Sequence, residues 1–355
     1  MGSMKAEKER KRILMLAPTP FFSDRGCHIR ILNSYLRLKK EGNEITLITY
    51  PLGRNVLDIK PLRTINLPGY KKTSPGFSPY KPFLDFLLLI KTKIQLIKGD
   101  YDYIYAHLYE GALAGILLRP FFRKKVIFDS QDSLTEDLIS HKTIKRNSYL
   151  YKLLLKAEKF IANHSDSIIV SSSNLKEFMI NELGVKKEIK VIPDFPDSSL
   201  FNSKVKPVKL PLPKNKIIVV YLGGLQIYKG IDHLLNAIPY TEKKFHFLIM
   251  GYPVEEAKEL AKKLKIEDRI TLTGKILYEE APSYLKLGDL AVSPKTMESG
   301  ETNGKLYNYK AMNLRVVCWD TKENRAIMGK QGIYAKEGNI EDFARKINSF
   351  GKHGK

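Results

Sequence analysis

Short runs of aliphatic and β-branched residues alternate along the chain with longer amphipathic stretches. This is how βα units of a parallel sheet read in sequence, because strands covered on both faces need no polar side. Strands are expected at Arg12 to Leu16, Glu44 to Thr49, Tyr103 to Ala106, Lys125 to Phe128 and Ser167 to Val170. After the Pro- and Lys-rich stretch Lys204 to Lys216 the series restarts, with Ile217 to Tyr221, Phe245 to Met250, Ile270 to Leu272, Leu290 to Val292 and Val316 to Cys318. A linker of that composition between two similar series predicts two doubly wound α/β domains, 1–203 and 204–355, with the boundary falling between 195 and 216. Ligands of such sheets sit beyond the carboxyl ends of the strands, so the crevice between two facing domains is the expected site. No repeat of solenoid length is visible.

Composition narrows the class. At 355 residues the chain exceeds the usual single core, which agrees with two domains. Cys27 and Cys318 are the only two cysteines and lie far apart, so neither a disulfide framework nor a structural zinc is expected, and a reducing, cytoplasmic compartment fits. Met1-Gly2-Ser3-Met4 reads as a cloning remnant before a native Met4. The charged run Lys5 to Arg12 has no signal-peptide core, and Ala6 stands where myristoylation wants Ser or Thr. The longest apolar run, Phe83 to Ile90, is too short to span a bilayer. A soluble protein, or a peripheral one at the inner membrane face, is expected.

Net charge of +22 is the loudest compositional signal, and both halves share it. It suits nucleic acid, an anionic membrane surface or phosphorylated substrates. With no nucleic-acid-binding motif in view, specific nucleic-acid recognition is not expected.

The second series carries the chemistry. In Val220 to Ile231 a strand runs into the paired glycines Gly223-Gly224, and Lys229-Gly230 follow. Paired glycines let a backbone approach a pyrophosphate, and a nearby lysine supplies countercharge, although a plain Gly-rich βα turn with a surface lysine reads the same way. The segment resembles the Y-V-G-R-L and K-G-I pattern of glycosyltransferase family four. In matching order, Ser165 to Ser173 resembles "aD.vi..S", Val191 to Pro196 "viPNgvD", Phe247 to Gly251 "l.ivG", Ile270 to Lys275 "v.f.G", and Tyr284 to Pro294 "y..aDv.v.PS". The resemblance covers roughly residues 12 to 345 and implies the GT-B fold: two Rossmann-like domains facing across a cleft, with the acceptor on the first and the nucleotide sugar on the second.

What the resemblance implies for individual residues follows from these anchors. Gly223, Gly224, Lys229, Gly274 and Lys275 fall on donor-side turns. The family's Arg is Gly224 here, which leaves Lys229 as the principal charge toward a diphosphate, with Lys305 as the compensating one. The paired glutamates of the family align poorly: Asn308 takes the place of the second, and Glu298 or Glu301 that of the first. Asn308 can still bond a ribose, without the strength of a carboxylate. The loop Ser299 to Lys305 opens a helix near Leu306 and would offer backbone N–H groups to an anion, which makes Asn303, Gly304, Lys305 and Leu306 expected substrate-binding residues, with Asn303 as the N-cap. It is no Walker A loop, since Leu306 stands where Ser or Thr is required.

In the first half, Ala17 to Ile31 resembles the family's first strand and acceptor-side glycine loop, with Arg25 and Gly26 in it. Arg25 and Arg30 could equally face solvent. His107 closes a strand where the family often places a histidine near the donor sugar. Asp129 to Asp132 resembles "D.HD", with Asp132 lining the acceptor side or capping the next helix. Asp100-Tyr101-Asp102 spells a DxD, but its position before a strand marks Asp102 as a turn residue, and no metal dependence or cofactor is expected.

The resemblance thus implies a retaining, hexosyltransferase-like enzyme that takes a UDP- or GDP-sugar and a glycan or lipid-linked acceptor in polysaccharide or glycolipid synthesis. An anionic membrane surface is an expected partner. Asn308 and Gly224 motivate the alternative of a GT-B protein that binds nucleotide sugar or glycan without transfer, and charge alone a non-specific polyanion binder. The chain ends soon after a helix expected at Asp342 to Ile347, where many relatives continue with a helix crossing back to the first domain.

Overall fold

A computed structural model describes residues 10–73, 78–136, 138–139, 143–226, 230–296 and 303–351, and the backbone alone at 137 and 140. The chain divides into two compact units, the first running through Asp194 and the second from Phe195.

In the first unit the order is β1 (Arg12–Ala17), α1 (Gly26–Lys40), β2 (Glu44–Thr49), β3 (Leu62–Arg63), α2 (Lys81–Lys98), β4 (Tyr103–His107) and α3 (Leu108–Phe122). There follow β5 (Lys125–Ser130), α4 (Leu134–Ser140), α5 (Tyr149–His164), β6 (Ser167–Val170), α6 (Ser173–Asn181) and β7 (Ile189–Val191). The seven strands form one sheet in the order β3-β2-β1-β4-β5-β6-β7, with every pairing parallel. The order reverses between β1 and β4, the switch point where a doubly wound sheet opens a crevice at its carboxyl edge. Leu14, Leu16, Ile104, Ala106, Val126, Phe128 and Ile168 are buried in the core beneath α2, α3 and α5. Each buried Leu, Ile, Val or Phe side chain there stabilises by about 1.5–3 kcal/mol.

The DxD serves structure. Asp102 accepts the Arg12 N–H at 2.6 Å and so ties the approach to β4 onto β1, while Asp100 pairs with Lys124 at 2.8 Å. Among the described residues no group of three or more His, Cys, Asp or Glu side chains gathers as metal ligands, and no helix is long and apolar enough to cross a membrane.

The second unit repeats the plan: β8 (Ile217–Leu222), α7 (Ile231–Ala237), β9 (Phe245–Met250), α8 (Glu255–Lys263), β10 (Ile270–Gly274), α9 (Ala281–Leu285) and β11 (Leu290–Ser293). It closes with α10 (Lys305–Ala311), β12 (Val316–Trp319), α11 (Lys322–Met328), β13 (Gly332–Ala335) and α12 (Ile340–Asn348). Its six-stranded parallel sheet runs β10-β9-β8-β11-β12-β13, so the switch point lies between β8 and β11. All ten expected strands form. The structure adds β3, β7 and β13, each at the edge of a sheet.

Candidate functional site

In the second unit the site is built by three consecutive βα turns. Gly223, with φ of 151°, donates its N–H to Met250 O, and Gly251 donates to Gly274 O. A Cβ on Gly251 would lie 1.8 Å from the Gly223 carbonyl oxygen, so only glycine lets the turns after β8 and β9 approach this closely. Gly230, with φ of 82°, is required for a similar reason, because a Cβ there would meet Pro294 O at 2.4 Å. That carbonyl is itself held by the indole N–H of buried Trp319 at 2.7 Å.

The lysine that opens α10 lies over the first of these turns. Lys305 Nζ is 4.1 Å from the centre of the Tyr221 ring, and a Cβ on Gly223 would stand 3.0 Å from it. Tyr221 is buried and donates its hydroxyl to Gly224 O at 2.8 Å, so the ring beneath the ammonium is fixed. Tyr309 sets the position of α10. Its buried hydroxyl accepts the Leu222 N–H at 2.8 Å and lies 3.4 Å from Val292 O, filling the gap where β8 and β11 diverge beyond their short pairing at Leu290 and Ala291. Nothing in the sequence singled Tyr309 out. Lys275 lies with its Nζ 5.5 Å from the Tyr252 ring, after the positive-φ Gly274.

Two expectations for α10 are corrected. Asn303 does not cap the helix: Gly304 is the N-cap residue, and the Asn303 side chain bonds Ser293 at 2.9 Å and Asn324 at 3.3 Å in the core. Its amide group finds better-placed partners sideways, on β11 and α11, than along the helix axis. Leu306 offers neither side chain nor N–H to a ligand, since the side chain is fully buried and the amide bonds Asn303 O at 3.0 Å. Asn308 lies in α10 beyond Lys305 and is nearly buried. Lys229, Glu298 and Glu301 lie outside the described residues.

In the first unit the carboxyl edge holds a buried charged cluster. Arg30 of α1 is 3% exposed and does not face solvent, because its guanidinium is drawn onto two carboxylates. It reaches Asp129 of β5 at 2.6 Å and Asp194 at 2.5 Å, and donates to Ile192 O at 2.9 Å. Asp129 also accepts the Tyr105 hydroxyl at 2.7 Å. Burial pushes its carboxyl up, but Arg30, His107 and these hydrogen bonds outweigh burial and leave it below its ordinary value.

His107 ends β4 beside this carboxylate, with Nδ1 3.6 Å from Asp129 and 3.4 Å from Gln131 Nε2. Burial dominates and lowers its pKa to about 4, so the imidazole is neutral near pH 7. The other ring nitrogen, Nε2, is buried without a hydrogen-bond partner. The next residue, Leu108, takes φ of 59°, a strained conformation that turns the chain directly into α3.

Around α1, Arg25 donates to Thr73 O at 2.8 Å, and Gly26 opens the helix with free space where a Cβ would stand. Asp132 does not cap α4. Ser133, one residue nearer the helix, accepts the Glu136 N–H at 3.2 Å and takes that place.

His107 makes a checkable prediction. Its pKa is depressed when folded, so the unfolded chain binds a proton that the folded chain refuses as pH falls from about 6.5 to about 4. The stability contribution is intact above that window and lost through it, by at most roughly 3 kcal/mol. Urea unfolding across this range should show a steeper acid loss for the wild type than for His107→Asn; parallel curves would refute the assignment.

Family models match most of the chain, as "Glycosyltransferase Family 4" over residues 26–199 and "Glycosyl transferases group 1" over 216–352. The chain belongs to the group 1, family-four-like glycosyltransferases of the GT-B fold. Among curated relatives, a 41.2 kDa protein in the cps region of Klebsiella pneumoniae is 26% identical over 60% of this chain, and an uncharacterised glycosyltransferase of Methanocaldococcus jannaschii 23% identical over 71%. The matches span 58% and 66% of those relatives' lengths. Of solved glycosyltransferase-like structures, sucrose-phosphate synthase from Thermosynechococcus elongatus is 18% identical with a TM-score of 0.77, covering 97% of this chain and 90% of that one. HepE of Anabaena, in complex with UDP-glucose, is 16% identical with a TM-score of 0.68, covering 96% and 89%. In this group 1 chain the glycine turns and Lys305 thus occupy the carboxyl edge of the half matched by the group 1 model.

Proposed function

We propose that the protein transfers a sugar, with retention and without a metal, from a UDP- or GDP-sugar to a glycan or lipid-linked acceptor. The observation that carries this is the Lys305 ammonium stacked on Tyr221 over the Gly223-Gly224 turn at the β8–β11 switch point. Close backbone, a fixed cation and a glycine turn together suit a diphosphate. In this reading the bond from the anomeric carbon to the diphosphate oxygen breaks as the acceptor hydroxyl attacks the same face, and that hydroxyl's proton passes to the departing phosphate oxygen. Lys305 and Lys229 stabilise the developing charge in place of a metal.

Gly274 and Lys275 flank the donor side, Gly304 admits the nucleotide close to α10, and Asn308 bonds the ribose. Glu298 or Glu301 takes sugar hydroxyls, and so does His107, whose unpartnered Nε2 supports that role. Arg25, Gly26 and Asp132 serve the acceptor. The UDP-glucose bound by HepE supports a UDP-sugar here.

A panel of nucleotide sugars tests this. A donor at about a hundred times its Kd adds about 2.7 kcal/mol and should raise Tm by several degrees, and labelled sugar should pass to acceptor in the presence of EDTA. If no nucleotide sugar shifts Tm, the reading fails. Asn308 and Gly224, in place of the family's Glu and Arg, favour a second reading as a binder without transfer; a Tm shift with neither transfer nor donor hydrolysis would select it.

A further inference from the structure

Helix α2 is apolar on two opposite sides. Leu84, Leu88 and Leu96 face the core, while Phe83, Phe86, Ile90, Ile94 and Ile97 form a second stripe in solvent, with Phe83 65% and Ile97 67% exposed. A helix at the surface of a globular unit ordinarily turns polar residues outward, and this one is about 27 Å long. The layer continues the pattern. Neighbouring α3 exposes Phe121, and α5, packed against α3, exposes Tyr149 and Leu153.

Charge on these three helices is sorted as well. Lys93 and Lys98 of α2 and Lys152, Lys156 and Lys159 of α5 are exposed. The three helices contain one acidic residue each, and all three are taken up locally: Asp85 by the Tyr50 hydroxyl, Glu110 by Lys81, and Glu158, fully buried, by Thr135 at 2.7 Å and Ser133 at 3.1 Å. The outward surface of these helices is therefore aromatic and aliphatic with a fringe of lysines. A second copy apposed by a two-fold axis would bring lysines against lysines. Nucleic acid answers the charge but gives no use to a row of isoleucines. A bilayer bearing anionic headgroups answers both features.

We propose that the α2–α3–α5 face seats the protein on an anionic lipid surface, with the α2 stripe entering the boundary between headgroups and acyl chains. The seat stands independently of the donor-site reading, since no residue of that site contributes to it.

Co-sedimentation with vesicles tests this. The wild type should pellet with mixed phosphatidylglycerol and phosphatidylcholine and stay largely in solution with phosphatidylcholine alone. Phe83→Glu with Ile97→Glu, and separately Lys93→Glu with Lys98→Glu, should each weaken partition roughly tenfold or more. Both pairs are exposed, so Tm should change little; should the first pair lower it, Phe83→Ser with Ile97→Ser carries the same expectation. Three results would overturn the proposal. One is a wild type that ignores anionic vesicles, and another is an apolar variant that binds them as well as wild type, which would leave charge alone at work. The third is a wild-type dimer in sedimentation velocity that the apolar variant dissolves.

Discussion

Arg30→Met is expected to destabilise the first unit by about 3–5 kcal/mol, the cost of leaving a buried charge without its partner. Asp129 is wholly inaccessible and Arg30 nearly so, so water cannot replace the lost guanidinium. Asp194, which meets the same guanidinium, loses that contact too. The remaining donors to Asp129 are the Tyr105 hydroxyl and, at 3.3 Å, the Ser34 hydroxyl, too few for an ionised carboxylate in a dry site. The variant should respond by holding a proton on Asp129, so its deficit should shrink as pH is lowered. Adding Asp129→Asn removes the charge and should recover a large part of the loss, making the two substitutions strongly non-additive. Urea unfolding of the single and double variants at neutral and acid pH measures all of this. A single variant within about 1 kcal/mol of wild type at neutral pH would show that the pair does not hold these elements together.

Lys305→Ala is expected to lower turnover per bound donor by about a hundredfold, on the scale of 2–4 kcal/mol for one electrostatic contact at a developing anion. The side chain is partly exposed over a glycine turn, and α10 is held separately by Tyr309, so the fold should survive. Lys305→Arg should recover only part, because a planar fork cannot replace a point charge without rearrangement. Lys229→Ala, expected from the family motif, should lose a similar factor, and the double variant more than either. Single-turnover transfer at saturating labelled donor distinguishes these outcomes from weaker binding alone. Near wild-type transfer by Lys305→Ala would remove the lysine from the diphosphate, and near wild-type transfer by Lys229→Ala would leave Lys305 as the charge to test.

The strands were legible because parallel strands buried on both faces must be apolar throughout, as in Val316–Trp319, and that signal needs no tertiary context. Three of the four edge strands lack it. Leu62–Arg63, Ile189–Val191 and Gly332–Ala335 pair on one side only and are short or part polar, so nothing separates them from loops. The glycine turns were readable for a similar reason, since a glycine pair after a strand is a local pattern with a local cause.

The sequence by itself therefore determined the two α/β sheets, the glycine turn after β8 and the presence of Lys305 and His107 at element ends, because periodicity, turn chemistry and motif order act over a few residues. Only the tertiary structure decided what those residues meet. Arg30 finds Asp129 and Asp194 across separations of 99 and 164 residues, and no local pattern records such a pairing. Asn303 leaves the helix end for Ser293 and Asn324, a choice between partners that exist only once β11 and α11 are packed. Tyr309 becomes the wedge between two strands only because the sheet reverses its order there. The same holds for α2: its sequence is apolar around the helix, and packing on the sheet settled which stripe is buried and which is left facing out among lysines.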